Sequence, residues 1–186
     1  MMRAVWIIIV TVLSACTTVP ERNANSVDLA AGVSFDMGVA PPSLHQQQWQ
    51  KKLTFSRADR SATLLSQLAV NQSGELRLVL TSGAGIPLLS MAYSDDEKIS
   101  VSTQLATLPI DPEYILADVQ LVHWPMQQLK AQLRGAQIQE FQRGATRVRE
   151  IKRAHTLLLR IEYQGATTTL TNYMHQYQII FTEVGL

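Results

Sequence analysis

Leu76-Arg77-Leu78-Val79-Leu80-Thr81, then Ser82-Gly83-Ala84-Gly85, then Ile86-Pro87-Leu88-Leu89-Ser90-Met91-Ala92-Tyr93 is the stretch on which the fold turns. Leu76, Leu78 and Leu80 alternate with Arg77, Val79 and Thr81, the period of two that sends successive side chains to opposite faces of a strand. The glycine-rich tetrapeptide breaks this ladder, and a second apolar run resumes it. A connection so short joins antiparallel neighbours.

The same text continues on both sides. Upstream, Lys52 to Arg57 and Thr63 to Asn71 read as strands, separated by Ala58-Asp59-Arg60 and closed by Gln72-Ser73-Gly74. Downstream, Ser94-Asp95-Asp96 turns the chain into Lys98 to Ser102. After Gly135 the strands return as Gln137 to Gln142, Thr146 to Lys152, Thr156 to Tyr163, Thr167 to Asn172 and Tyr177 to Val184. Within them Leu157, Leu159, Ile161 and Tyr163 share one face, opposite Leu158, Arg160 and Glu162. Gly144-Ala145 and Gln164-Gly165 supply hairpin turns.

Between the two meanders the period changes. Asp111-Pro112-Glu113 has an acceptor at the cap, a proline whose missing N–H costs nothing in the first turn, and an acid beside the helix dipole. A helix to about Val122 then carries Ile115, Val119 and Val122 on one stripe. Pro125 starts a second, with Met126, Leu129 and Leu133 at helical spacing, which Gly135 ends. A short helix is also expected at Ser43 to Lys51. The fold class is therefore mainly β (α+β): a strongly curved antiparallel sheet, or incomplete β-barrel, of about ten strands covered by two or three short helices. This body occupies residues 43–186.

The amino end has a different logic. Arg3 precedes an uncharged run from Ala4 to Leu13, too short for a membrane span, and Leu13-Ser14-Ala15-Cys16 follows with the only cysteine. This is a bacterial lipoprotein signal. Residues 1–15 are expected to be removed and Cys16 to carry the lipid. Thr17 rather than Asp after the cysteine points to the outer membrane, with the protein facing the periplasm. Residues 16–42, rich in Ala, Asn, Ser, Val and Pro, read as a lipidated terminus and flexible tether, although Asp28 to Met37 could lie extended against the body.

The formal charge is +1, and removing Arg3 leaves a neutral chain. Nucleic acid is therefore not an expected partner. His45, His123, His155 and His175 lack metal-ligand spacing, and no Gly-x-Ser-x-Gly elbow or phosphate-binding loop is present. No cofactor and no enzymatic activity are expected.

What stands out is apolar. Ile86, Leu88 and Leu89 flank a glycine turn, either as an exposed contact with lipid or protein or as the start of a buried strand. Trp124 and Met126 mark the corner between the helices, as a plug of the open sheet or a gate to a cavity. With Leu157, Leu159 and Ile161 they make up the expected ligand-binding or membrane-contact set.

Ile115-Leu116-Ala117-Asp118-Val119-Gln120-Leu121-Val122-His123-Trp124-Pro125-Met126, with Leu129 and Leu133, resembles the central Trp-Pro-Leu helical motif of a proteobacterial lipoprotein family often encoded in aryl polyene biosynthetic clusters. The likeness extends to Leu64-Leu65-Ser66-Gln67-Leu68, Leu76 to Thr81, and Leu170-Thr171-Asn172 with Tyr177. Met126 stands where leucine is usual, a volume-conserving change. That family is similar to the LolA/LolB lipoprotein carriers, whose half-open barrel holds acyl chains beneath helices. The resemblance implies partners of two kinds: a membrane through the anchor, and a lipid, lipoprotein or polyene-lipid ligand whose transfer or insertion the protein assists. The alternative is a non-enzymatic accessory lipoprotein that docks to a membrane-associated protein.

Overall fold

The computed structural model describes residues 25–94, 96, 99–105, 108 and 110–184. The expected signal peptide, Cys16 and the first part of the expected tether lie outside them, as do Asp95 and Lys98 of the expected turn and strand.

Ten strands form one antiparallel sheet: β3 (Gln48–Arg57), β4 (Arg60–Val70), β5 (Leu76–Thr81), β6 (Pro87–Tyr93), β7 (Ile99–Thr103), β9 (Gln137–Arg143), β10 (Thr146–Arg153), β11 (Thr156–Gln164), β12 (Thr167–Asn172) and β13 (Tyr177–Glu183). Their order is β7-β6-β5-β4-β3-β13-β12-β11-β10-β9, so the two meanders join where β13 pairs with β3 and the outer strands β7 and β9 stay apart. The result is the expected incomplete barrel. The quoted hairpin behaves as its alternation requires: Leu76, Leu78 and Leu80 are buried, and Arg77, Val79 and Thr81 are not. Burying each such leucine contributes roughly 1.5–3 kcal/mol.

Two β-bulges alter the period locally in this sheet. Leu80 pairs with Leu89 and Thr81 with Pro87, which leaves Leu88 as the extra residue on β6. On β11, Ile151 pairs with Leu159 and Lys152 with Leu157, so Leu158 is extra. Leu157 therefore does not share a face with Leu159, contrary to the expected alternation.

Helices α1 (Pro112–His123) and α2 (Met126–Gln132) connect β7 to the second meander. Asp111 takes the N-cap position, but its side chain makes no capping bond. All eight residues from Ile115 to Val122 are buried, so this stretch of α1 has no solvent face. What covers it was assigned to the tether. β1 (Ser26–Ala30) and β2 (Val33–Asp36) form a hairpin that buries Val27, Leu29, Val33 and Phe35 and packs against α1. The backbone beyond it is also fixed. Gly38 N–H donates to Gln120 Oε1 at 3.1 Å, Tyr93 donates to Met37 C=O at 3.0 Å, and Gln128 donates to Val39 C=O at 3.0 Å. From Asn25 onward, then, the segment expected as a tether belongs to the body.

Two further expectations change. Ser43 to Lys51 is not an α-helix: a single 3₁₀ turn at Pro42–Leu44 gives way, past Gln46 at φ 61°, to β3 from Gln48. So short a helix gains little by itself, whereas pairing Gln48 with Ala69 satisfies the backbone within the sheet. Helix α2 ends at Gln132, because β8 (Leu133–Arg134) pairs with β2 to give a three-stranded sheet, β1-β2-β8. Gly135, at φ +73°, lies so close to the β1-β2 turn that an added Cβ would sit 2.0 Å from the Gly32 carbonyl oxygen. That approach explains the glycine. No described helix is long and apolar enough to cross a membrane.

Candidate functional site

An apolar cavity of about 230 Å³ lies at the β3-β4-β5-β6 end of the sheet, and every residue lining it is a hydrocarbon or phenyl side chain. The strands build its wall in rungs. Leu53 pairs with Leu64 and Phe55 with Ala62, so strand alternation points all four into the same space. Leu80 and Leu89 continue the wall, and the bulge on β6 brings Leu88 in beside Leu89. Ile179 of β13 completes it. Opposite stand Leu105, Leu108 and Ile110, together with Ile115 from the first turn of α1.

Exposure grades along these rungs. Leu53 is buried and Phe55 half-buried along β3, while Leu64 is half-buried and Ala62 exposed along β4. The cavity thus deepens toward Leu53 and opens toward the β3-β4 turn.

Of the expected set, the cavity gathers Leu88 and Leu89. Ile86 stands at the hairpin tip, 53% exposed, and does not line it. Trp124, Leu159 and Ile161 are fully enclosed core residues, Met126 is half-buried on α2 and Leu157 half-buried on β11; none belongs to the wall. On β11, Leu159 and Ile161 do share a buried face, but Leu157 is off it and that face belongs to the core. The other ten lining residues, Phe55, Ala62, Leu64, Leu105, Leu108 and Ile110 among them, were missed. Their signal was the apolar alternation of the β3-β4 hairpin running past the point where a packed core needs it.

A polar framework holds α1 over the sheet. Arg149, 3% exposed, donates to the carbonyls of Leu121 and, at 3.2 Å, Trp124, while also binding Glu140 at 2.8 Å. A guanidinium there satisfies carbonyls that the helix end leaves unpaired and complements its dipole. Tyr163 adds a bond to the Val122 carbonyl at 2.7 Å, with Arg147 over its ring at 3.8 Å. The His123-Trp124-Pro125 corner is thereby fixed.

On the sheet side of α1, Asp118 accepts from Tyr177, whose oxygen accepts from Asn172 at 3.2 Å. Burial drives the Asp118 carboxyl up to about 7, against the pull of the tyrosine bond. His123, packed 4.8 Å from Trp49, is pushed down to about 4 by burial and then by Lys51 and Arg149. On the outer face burial works to raise Glu150, but hydrogen bonds from Lys152, Arg160 and Gln139 prevail and hold it at about 2. Asp118 and Tyr177 flank the cavity: Asp118 is one turn from Ile115, and Tyr177 stands 5.6 Å from Phe55. No group of three or more His, Cys, Asp or Glu placed to hold a metal occurs among the described residues.

Comparison with protein families gives one match, over residues 48–185, to "Protein of unknown function (DUF3261)". The chain belongs to this family. The match begins with β3 and takes in all ten strands of the large sheet, both helices and every residue lining the cavity, while the β1-β2 hairpin precedes it. A search of curated proteins finds no match.

Proposed function

We propose that this DUF3261 chain is an outer-membrane lipoprotein, anchored through Cys16 and facing the periplasm, that holds an acyl chain in its cavity and assists transfer or insertion of the lipid. The observation that carries the reading is a cavity without one polar lining atom, built into an open sheet. Water gains no hydrogen bonds there, and a hydrocarbon chain loses none. If a methylene fills roughly the ~30 Å³ of a liquid water, the space takes a segment of about eight. At about 0.8 kcal/mol each, they contribute ~6 kcal/mol before the cost of ordering the chain. That supports reversible loading, which transfer requires, and it suits one chain rather than a whole lipid. The lipoprotein signal and the resemblance to the aryl polyene-associated and LolA/LolB-like families support the same reading, with an acyl or polyene lipid as ligand.

The test is extraction of the protein purified from membranes, followed by mass spectrometry. An acyl lipid near one per chain, lost in an Ala62→Phe variant, is expected. A chain free of lipid at the cavity, crosslinked instead through Ile86 to one protein, overturns the reading in favour of docking.

A further inference from the structure

Charge is unevenly placed along this chain. From the start of α2 to the end of β10, Met126 to Arg153, there are seven Lys and Arg and two Glu, a net +5 in a chain whose total is +1. Both glutamates are already shared: Glu140 binds Arg147 at 3.2 Å and Arg149 at 2.8 Å, and the buried Glu150 binds Lys152 and Arg160. Counting Arg160 and the acids of the adjoining strands, Asp28, Asp36 and Glu162, gives eight cations against five carboxylates, so the excess persists.

These cations follow one border of the molecule. β9 is the last strand of the sheet, and α2 packs against it. Lys130 and Arg134 stand at one end of β9 and Arg143 and Arg147 at the other, roughly 20 Å away at ~3.3 Å per residue. Arg153 ends β10 beside the β1-β2 turn, where it donates to the Ala31 carbonyl. All five are exposed, whereas no large apolar side chain of this segment is. The described chain begins at the same border: Asn25 precedes Ser26, Ser26 pairs with Asp36, and Asp36 holds Arg134 at 3.2 Å. Nine residues lead from Cys16 to Asn25, a reach of at most about 30 Å.

We infer that the β9 border is the face this protein lays on a bilayer carrying anionic head groups, through ionic contacts without insertion of side chains. The closeness of the bilayer rests on the lipid anchor proposed above; the charge of the border does not. An anchored chain keeps these cations within a tether's length of the head groups, so individually weak contacts become occupied. Each Lys or Arg brought within a Debye length of the surface, about 8 Å, strengthens the contact about fivefold. A flat charged surface needs no matching pocket, which suits cations spread along an edge. The cavity wall on β3 to β6 belongs to the other half of the strand order and takes no part in the contact.

The full chain carrying Gln142→Cys, dye-labelled beside Arg143, is placed in nanodiscs whose head groups bear a nitroxide quencher, with Ser61→Cys at the start of β4 as the comparison site; both positions are exposed. Cys16, once acylated, takes no dye. Quenching is expected at position 142 on phosphatidylglycerol nanodiscs, to be lost in high salt, and to be absent on phosphatidylcholine ones and at position 61. Lys130→Gln/Arg143→Gln should lower the ratio of contacting to free chains about thirtyfold, and Lys130→Arg/Arg143→Lys should keep it, with thermal melting confirming that both variants fold. Equal quenching on the neutral surface, or quenching at position 61 alone, overturns the inference. So does no quenching at 142 on either surface, which leaves the border to an acidic protein. A chain that leaves phosphatidylcholine nanodiscs but holds to phosphatidylglycerol ones removes the anchor and keeps the inference.

Discussion

Replacing Asp118 by Asn isolates the most costly group beneath α1. The carboxyl holds its proton to about pH 7 in the folded chain, against 3.8 as an ordinary group. Between those values the folded state binds more protons than the unfolded one, so Asp118 makes stability fall as pH rises from about 4 to about 7 and plateau above. A shift of about three pH units at ~1.4 kcal/mol each amounts to about 4 kcal/mol, a large share of the ~5–15 kcal/mol that stabilises a domain. His123 works the other way: held at about 4 against 6.5, it makes stability fall as pH drops through that interval. The difference between the parent and Asp118→Asn cancels His123 and leaves Asp118 alone. The amide oxygen can still accept from Tyr177, while its NH₂ needs a partner the carboxylic acid did not, at about 1–3 kcal/mol. Urea unfolding should find Asp118→Asn less stable than the parent near pH 4 and equal or more stable at pH 8, with the difference moving by about 4 kcal/mol between them. A difference that stays constant across this range refutes the buried carboxyl as described.

Arg149→Met removes the buried donor to the α1 carbonyls and one of the two arginines that bind Glu140, Arg147 remaining, and should cost about 2–4 kcal/mol in chemical unfolding; a loss below about 1 kcal/mol would show that α1 is capped some other way. Ala62→Phe places a ring in the cavity mouth, so acyl labelling should fall at least about tenfold while stability changes by less than about 1 kcal/mol; unchanged labelling puts the ligand elsewhere. Gly135→Ala should prevent the three-stranded sheet from docking, whereas Gly85→Ala, with φ +79° and open space around it, should cost only about 1–2 kcal/mol; comparable melting temperatures for the two would contradict the close approach to Gly32.

The sheet was legible because its strands are amphipathic: Leu76 to Tyr93 and Thr167 to Asn172 announce both their faces and their turns. The hairpin at residues 26–36 was legible only as an extended piece from Asp28 to Met37, since two strands of five and four residues give too few periods to stand out from an apolar tether. A second clue lay in α1. Tyr114 to Val122 is apolar nearly all round, which demands cover on every side, and a one-stripe reading left that demand unanswered. Leu88 and Leu89 entered the candidate site for the right segment, but only the bulge explains why consecutive residues reach one cavity. Trp124, Leu159 and Ile161 were drawn in by size and alternation, properties that core and binding wall share. Pairing separates them. Phe55 and Ala62 acquire meaning only when β3 meets β4 and the core on their face has run out.

Mapping the attachment sites of a photoactivatable fatty acid on the full chain in nanodiscs tests the acyl-binding cavity most directly. Adducts should fall on the peptides carrying Phe55, Ala62, Leu64, Leu88 and Leu105, and excess unlabelled dodecanoate should remove them. Adducts confined to Ile86 and Val101 at the surface, or cavity peptides left unlabelled, would contradict a hydrocarbon ligand there.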